Sequence, residues 1–154
     1  MIEYDEETMR TQHINHLVKT AESCVETGSL CKAVSYFHRV LDLSRPGEFT
    51  VELALLRLSQ VYKKQLRYQD AISFLYRAIE TRPDEPRHHL ALAELYLLVE
   101  QPTEALLIAY ETITSPMTKV DGLALIERIN KIIGACETVT CSTEPRFRRP
   151  QLLQ

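Results

Sequence analysis

The stretch YQDAISFLYRAIETRPDEP, Tyr68 to Pro86, decides the fold of this chain. Small and apolar residues recur in it at helical spacing, with Ala71, Leu75 and Ala78 along one face. Pro83 follows the last of these turns, and the Asp-Glu pair between the two prolines can cap another helix. The stretch therefore predicts an amphipathic helix, a stop and the start of a second helix.

The same pattern recurs before and after this stretch. Ala105 lies 34 residues after Ala71, inside QPTEALLIAYETITSP, and Ala33 opens the same pattern inside LCKAVSYFHRVLDLSRP. Ahead of Ala71, the apolar residues Leu55, Leu58 and Tyr62 predict a preceding helix. The spacing from Ala33 to Ala71 is 38, so four additional residues around PGEFT lengthen that connection.

A 34-residue helix–turn–helix unit, with a small residue opening its second helix and a proline closing the unit, resembles the tetratricopeptide repeat. The resemblance covers about residues 14–117 and implies an all-α, tetratricopeptide-type superhelix with repeats at about 14–47, 52–85 and 86–119. Each such hairpin buries only one face by itself, so the stack needs a cap. We expect a capping helix at about 119–137 with the apolar stripe Leu123, Ile126, Ile129 and Ile133, and about seven helices in all.

Residues 1–137 are predicted to form this one domain. Residues 138–154, TVTCSTEPRFRRPQLLQ, have two prolines, three arginines and no periodicity, which predicts a flexible basic tail. A further hypothesis is that the tail docks in the groove of its own or a neighbouring molecule through Phe147, Leu152 and Leu153.

The composition of the chain argues against several classes of function. The 154 residues have a net charge of −3, without the basic excess of a nucleic-acid binder, and no apolar run is long enough to span a membrane. The acidic start MIEYDEETMR does not fit a secretory signal, so we predict a cytoplasmic protein. The four cysteines lack a paired metal-binding spacing, and Cys24 and Cys31 are expected to pack as small hydrophobes.

Catalytic patterns are missing from the sequence. It contains no G-x-S-x-G, no glycine-rich phosphate loop and no H-E-x-x-H. His13 and His16 lie one turn apart, but the sequence places no third ligand beside them, and His89 is expected to be a packing residue. We predict no enzyme activity, no cofactor and no metal.

The tetratricopeptide resemblance implies that the first helix of each repeat lines a concave groove that binds a protein or peptide. Val18, Leu56 and Leu90 recur at one position in the three repeats, and Ala124 of the capping helix continues this series. Exposed apolar residues at such a position indicate either peptide binding or packing within a tightly wound superhelix. The predicted partner-binding residues are Val18, Glu22, Leu53, Leu56, Gln60, Lys63, Lys64, Arg87, Leu90, Glu94 and Leu97.

Two functions from different classes follow from the resemblance. The first is an adaptor that binds a partner through the groove. Binding to the acidic tails of heat-shock chaperones is rejected, because the lysine, asparagine and arginine side chains that hold such tails are replaced by Val18, Glu22, Gln60 and Ala91, and only Arg87 is kept. The second is a dedicated chaperone, since DEPRHHLALAELYLL and the chain length resemble the type III secretion translocator chaperones. Such a chaperone would dimerise through its N-terminal helix. A third possibility is a structural subunit that uses the convex face.

Overall fold

The computed structural model describes residues 5–141, with side chains over residues 5–135. This part of the chain forms seven helices and no strand, which confirms the predicted all-α class. The helices are α1 (Glu6–Glu26), α2 (Leu30–Leu43), α3 (Phe49–Lys64), α4 (Tyr68–Thr81), α5 (Pro86–Leu98), α6 (Pro102–Thr112) and α7 (Lys119–Cys141).

The helices pack chiefly against their neighbours in sequence. α1 packs on α2, α3 on α4 and α5 on α6, and these three hairpins stack through contacts of α2 with α3 and of α4 with α5. α7 packs on α6 and also touches α5. Contacts confined to neighbouring units are the mark of a repeat architecture, in which each unit covers the face that the previous one leaves open.

The turns inside the three hairpins share one backbone geometry. Gly28, Leu66 and Glu100 all adopt a positive φ, of 77°, 60° and 60°. In each turn the following amide donates back to the preceding helix, as in the 2.9 Å bond from Arg67 N to Tyr62 O. This is the left-handed helix end that glycine adopts without a steric penalty. Only the first of the three turns has glycine at that position.

The lengthened connection between α2 and α3 is tied to α1. Arg10 donates from Nη1 to the carbonyl of Leu43 at 2.9 Å and pairs through Nη2 with Glu48 Oε1 at 2.6 Å. Glu7 lies on the other side of this guanidinium and also pairs with Arg45 at 2.8 Å. The hydrogen bond from Arg10 lowers the pKa of Glu48 to about 2. The four additional residues thus form an anchored connection.

Two groups of buried residues form the core. The larger group runs from α1 to α5 and includes Phe37, Leu58 and Leu75, while the smaller one lies among α5, α6 and α7 around Ile129. Tyr96 packs against both groups. Alanine is the residue at the closest helix approaches, since eight alanines have no exposed surface: Ala21, Ala33, Ala54, Ala71, Ala78, Ala93, Ala105 and Ala109.

Several predictions of detail need correction. Leu123 is 48% exposed, and Leu125 is buried beside Ile126 and Ile129, because the buried face of α7 is rotated towards Leu125. Cys31 is exposed, although Cys24 is half-buried as expected. α7 continues to Cys141, beyond its predicted end at 137. The rest of the predicted tail lies outside the described residues. No helix among those described is long and apolar enough to cross a membrane.

Candidate protein-binding groove

The first helices of the three hairpins are joined side by side through ion pairs. Glu22 of α1 lies 2.9 Å from Arg57 of α3, and Lys63 of α3 lies 3.3 Å from Glu94 of α5. We call the surface formed by α1, α3 and α5 the odd-helix face. The two pairs bring Glu22, Lys63 and Glu94, three of the residues predicted for the groove, together on this surface, and they neutralise four of its charges within the chain.

A cavity of about 320 Å³ opens between α1 and α3 on the odd-helix face. Val25, Phe37 and Val61 supply its apolar lining. Phe37 and Val61 are almost completely buried, so they form the floor of the cavity, and the half-buried Val25 forms part of its wall. The polar residues around the cavity are Glu22, Glu26, Arg57, Gln60 and Lys64.

The recurring apolar residues are half-buried. The sequence left peptide binding and packing within the superhelix open as roles for them, and half-burial is compatible with both. Val18 and Leu56 pack against the larger core group, and Leu90 and Leu97 pack against the smaller one. Leu53 is also half-buried. Each of these side chains therefore supports the fold and still has surface on which a bound segment can pack.

The polar residues predicted for the groove fall into two sets. Glu22, Lys63 and Glu94 are engaged in ion pairs, and Gln60 Oε1 accepts a hydrogen bond of 3.1 Å from Arg57 Nη1. Sequence reasoning missed Arg57, because no motif shows that its guanidinium reaches across to α1.

Three other polar side chains on this face are exposed. Glu26 and Lys64 face each other across the cavity without an ion pair among the described residues, and Arg87 lies 4.0 Å from Glu85. A partner thus meets free charges of opposite sign at the cavity, from Glu26 on one wall and Lys64 on the other.

A second polar cluster lies buried between α3, α4 and α5. Glu52 and His88 are each only 3% exposed, and His88 Nε2 lies 3.1 Å from Glu52 Oε1. Arg82 Nη1 donates to Glu52 Oε2 at 2.9 Å. Burial lowers the pKa of His88, partly opposed by the charges of Glu52 and Glu85. The cluster joins consecutive hairpins, and none of its three residues lines the cavity between α1 and α3, so we assign it a structural role.

The sequence contained a signal for this cluster. Glu52 lies three residues before Leu55 and His88 four residues before Leu92, so both fall on core stripes of their helices. His89, predicted as the packing residue, is half-buried. The described residues contain no group of three or more His, Cys, Asp or Glu side chains that could hold a metal ion.

Solved structures with the same arrangement of helices are TPR domains. The TPR domain of P58(IPK) gives a TM-score of 0.70 at 17% identity, over 85% of this chain and 36% of that chain. The Yersinia enterocolitica type III secretion chaperone SycD, in complex with a peptide of the translocator YopD, gives 0.67 at 18% identity, over 77% of this chain and 93% of that chain. The first TPR of Spaghetti (RPAP3), bound to an HSP90 peptide, gives 0.68 at 10% identity, over 80% of this chain and 94% of that chain.

These likenesses show that the chain has the fold of a TPR domain, which confirms the predicted tetratricopeptide-type fold. No protein-family model matches the chain, and no curated protein matches its sequence. The chain spans 36% of the P58(IPK) domain structure. At these sequence identities the comparison shows the fold alone. The peptides bound in those structures are ligands of the other proteins.

Proposed function

We propose that this chain is a protein-interaction adaptor that binds a segment of a partner protein on the odd-helix face. The observation that supports the proposal most directly is the cavity between α1 and α3, with its apolar floor and two unpaired charges at its rim. A bound segment would place an apolar side chain against Val25, above the buried Phe37 and Val61. The peptide-bound structures of SycD and RPAP3 add support, because both domains share this fold.

The charges of the odd-helix face favour a partner recognised mainly through apolar side chains. Glu22, Arg57, Lys63 and Glu94 already neutralise one another, so a charged partner would have to compete with these internal pairs. Burial of apolar area contributes roughly 25 cal/mol per Å² before the costs of association are subtracted. Affinity should therefore follow the size and shape of the side chain that enters the cavity.

The test is selection of peptides from a displayed random library against the whole chain, followed by fluorescence anisotropy of the selected peptides. We expect Val25→Glu to weaken binding by roughly tenfold or more, because it places a carboxylate where an apolar side chain would be buried. The matched control is Glu80→Lys on α4, an exposed residue without an ion pair in the described part of the chain, which should leave affinity unchanged. Circular dichroism checks that both variants are folded.

Equal affinity for wild type and Val25→Glu would contradict binding at this cavity. The double variant Leu56→Glu, Leu90→Glu is a less clean test than the sequence suggested, because both leucines also pack against the core. A loss of helicity in that double variant would mean that these residues act mainly in packing.

A dedicated chaperone is the second candidate. It is favoured by the match to SycD, since this chain covers 93% of that chain and the two are of similar extent. A chaperone should keep one aggregation-prone client soluble on co-expression, and should dimerise through α1. An adaptor should bind a client that is soluble without it. Co-expression solubility and light scattering separate the two, and cytoplasmic location remains a prediction.

A further inference from the structure

The charge of the chain is unevenly distributed. Residues 1–82 carry eleven acidic and eleven basic side chains, residues 83–121 carry seven acidic and two basic, and residues 122–154 carry three acidic and five basic. The whole negative excess therefore lies in the third hairpin and the turn that follows it. The positive excess lies downstream in residues 142–154, which carry three arginines and one glutamate, whereas the acidic and basic side chains of α7 balance.

The acidic hairpin also exposes large apolar side chains in a regular pattern. Leu107 is 69% exposed and Tyr110 is 50% exposed, one turn apart on α6. Glu104 and Glu111 lie on the same side of the helix, both exposed and without an ion pair among the described residues. We call these four side chains the α6 outer face. Along the helix axis, the two apolar side chains of this face lie between Glu104 and Glu111.

Residues 142–154, STEPRFRRPQLLQ, have the complementary composition. Arg146, Arg148 and Arg149 surround Phe147, and two leucines follow. The odd-helix face is a poorer match for this segment, because its charges are paired and Glu26 and Lys64 balance each other. We propose that residues 142–154 dock on the α6 outer face of the same chain, with Phe147 against Leu107 and Tyr110 and arginines beside Glu104 and Glu111.

The segment is long enough to reach this surface. α7 follows α6 after a short turn and packs back on it, so the two helices run in opposite directions. With 23 residues against 11, α7 passes the beginning of α6 by about 18 Å. Thirteen extended residues span at most about 43 Å. Because a tethered segment has a local concentration on the order of millimolar, weak contacts are sufficient for docking.

The test uses the full chain with the photoreactive p-benzoylphenylalanine at Phe147. After irradiation, peptide mapping by mass spectrometry should place the major cross-links within α6, around Leu107 and Tyr110. The double variant Glu104→Lys, Glu111→Lys should reduce these cross-links by roughly threefold or more, because two attractions become repulsions. The matched control, Asp42→Lys with Glu80→Lys, reverses two exposed unpaired acids on α2 and α4 and should leave the yield unchanged.

A mixture of isotopically heavy and light protein distinguishes contacts within one chain from contacts between copies. Cross-links between heavy and light chains would overturn docking within the chain and assign the surface to a second copy. Cross-links to Val25 or Phe37 would overturn the assigned surface and support docking in the cavity. The absence of any specific cross-link would overturn the proposal altogether. None of these results depends on whether the odd-helix face binds a partner.

Discussion

Single residues at the closest helix approaches tolerate little change. Ala71 and Ala78 of α4 have no exposed surface, and their methyl groups face neighbouring helices in the larger core group. Interiors packed to crystal density have no room for a longer side chain without displacement of the backbone. The repeat therefore requires a small residue at each of these close approaches.

We therefore expect Ala71→Arg to lower the free energy of unfolding by about 3 kcal/mol or more, since it adds volume and an unpaired charge to the core. Urea unfolding followed by circular dichroism measures the change. The control is Ala124→Arg, the same substitution at an exposed position of α7, which should cost less than about 0.5 kcal/mol. Similar losses for both variants would contradict a specific requirement at Ala71.

His88 makes stability depend on pH through a single side chain. Burial lowers its pKa in the folded state below the ordinary value of 6.5, so in mildly acidic solution the unfolded chain binds more protons there than the folded chain does. The contribution of neutral His88 is therefore complete above about pH 6.5, the unfolded-state pKa, and is lost as the pH falls below it through the lower pKa of the folded state. The Nδ1 atom of His88 is buried and makes no hydrogen bond within the part of the chain that the structure describes.

His88→Gln should flatten this dependence, because the amide can donate to Glu52 and does not titrate. We expect the decrease in Tm between about pH 7.5 and about pH 5 to be a few degrees smaller than in wild type. Calorimetry at several pH values measures it. His13→Gln, at an exposed position on α1, is the control and should keep the wild-type slope. An unchanged slope in His88→Gln would show that other groups control the acid response.

At the scale of the elements, the three hairpin turns show how much the backbone conformation alone contributes to the free energy of unfolding. The first turn has Gly28, whereas Leu66 adopts the same left-handed conformation with a side chain that is 72% exposed and gains little from packing. A Cβ atom in that conformation costs roughly 1–2 kcal/mol. Glycine costs somewhat less than that in additional entropy of the unfolded chain.

Leu66→Gly should accordingly stabilise the domain by up to about 1 kcal/mol, while Gly28→Ala should destabilise it by about 1 kcal/mol. A Cβ at Gly28 meets no atom within 4 Å, so the stability change in Gly28→Ala reports the backbone strain without a steric clash. Chemical unfolding of the two variants in parallel provides the measurement. Destabilisation by Leu66→Gly would mean that the exposed leucine makes contacts that outweigh the strain.

At the scale of the whole molecule, periodicity predicted the architecture because the core requirement repeats. Ala33, Ala71 and Ala105 were found from spacing alone and are all buried. Spacing did not reveal the bond from Arg10 to the α2–α3 connection or the pairing of Glu52 with His88. Glu52 and His88 do lie on the core stripes of their helices, but helical spacing does not show which side chains of different elements pair with each other.

The candidate groove, like the fold, was predictable from the sequence in its elements but not in its side-chain contacts. The position of Leu56 on α3 follows from helical spacing, but its partial burial depends on how closely neighbouring hairpins approach. The same distance determines that Glu22 and Lys63 are paired within the chain. The elements that line the groove were therefore predictable, whereas the accessibility and charge of its residues required the three-dimensional structure.

The two core groups predict that the molecule unfolds in parts. Contacts between the groups run through few residues, and in stacked repeats stability is roughly a sum of local and nearest-neighbour terms. Ile129 is fully buried in the smaller group, so Ile129→Ala should cost about 2–5 kcal/mol there. Hydrogen exchange should accelerate in α6 and α7 while the central amides of α3 keep their protection. Leu58→Ala, in the larger group, should instead accelerate exchange in α3 and α4. A uniform increase along the chain in both variants would show one cooperative unit.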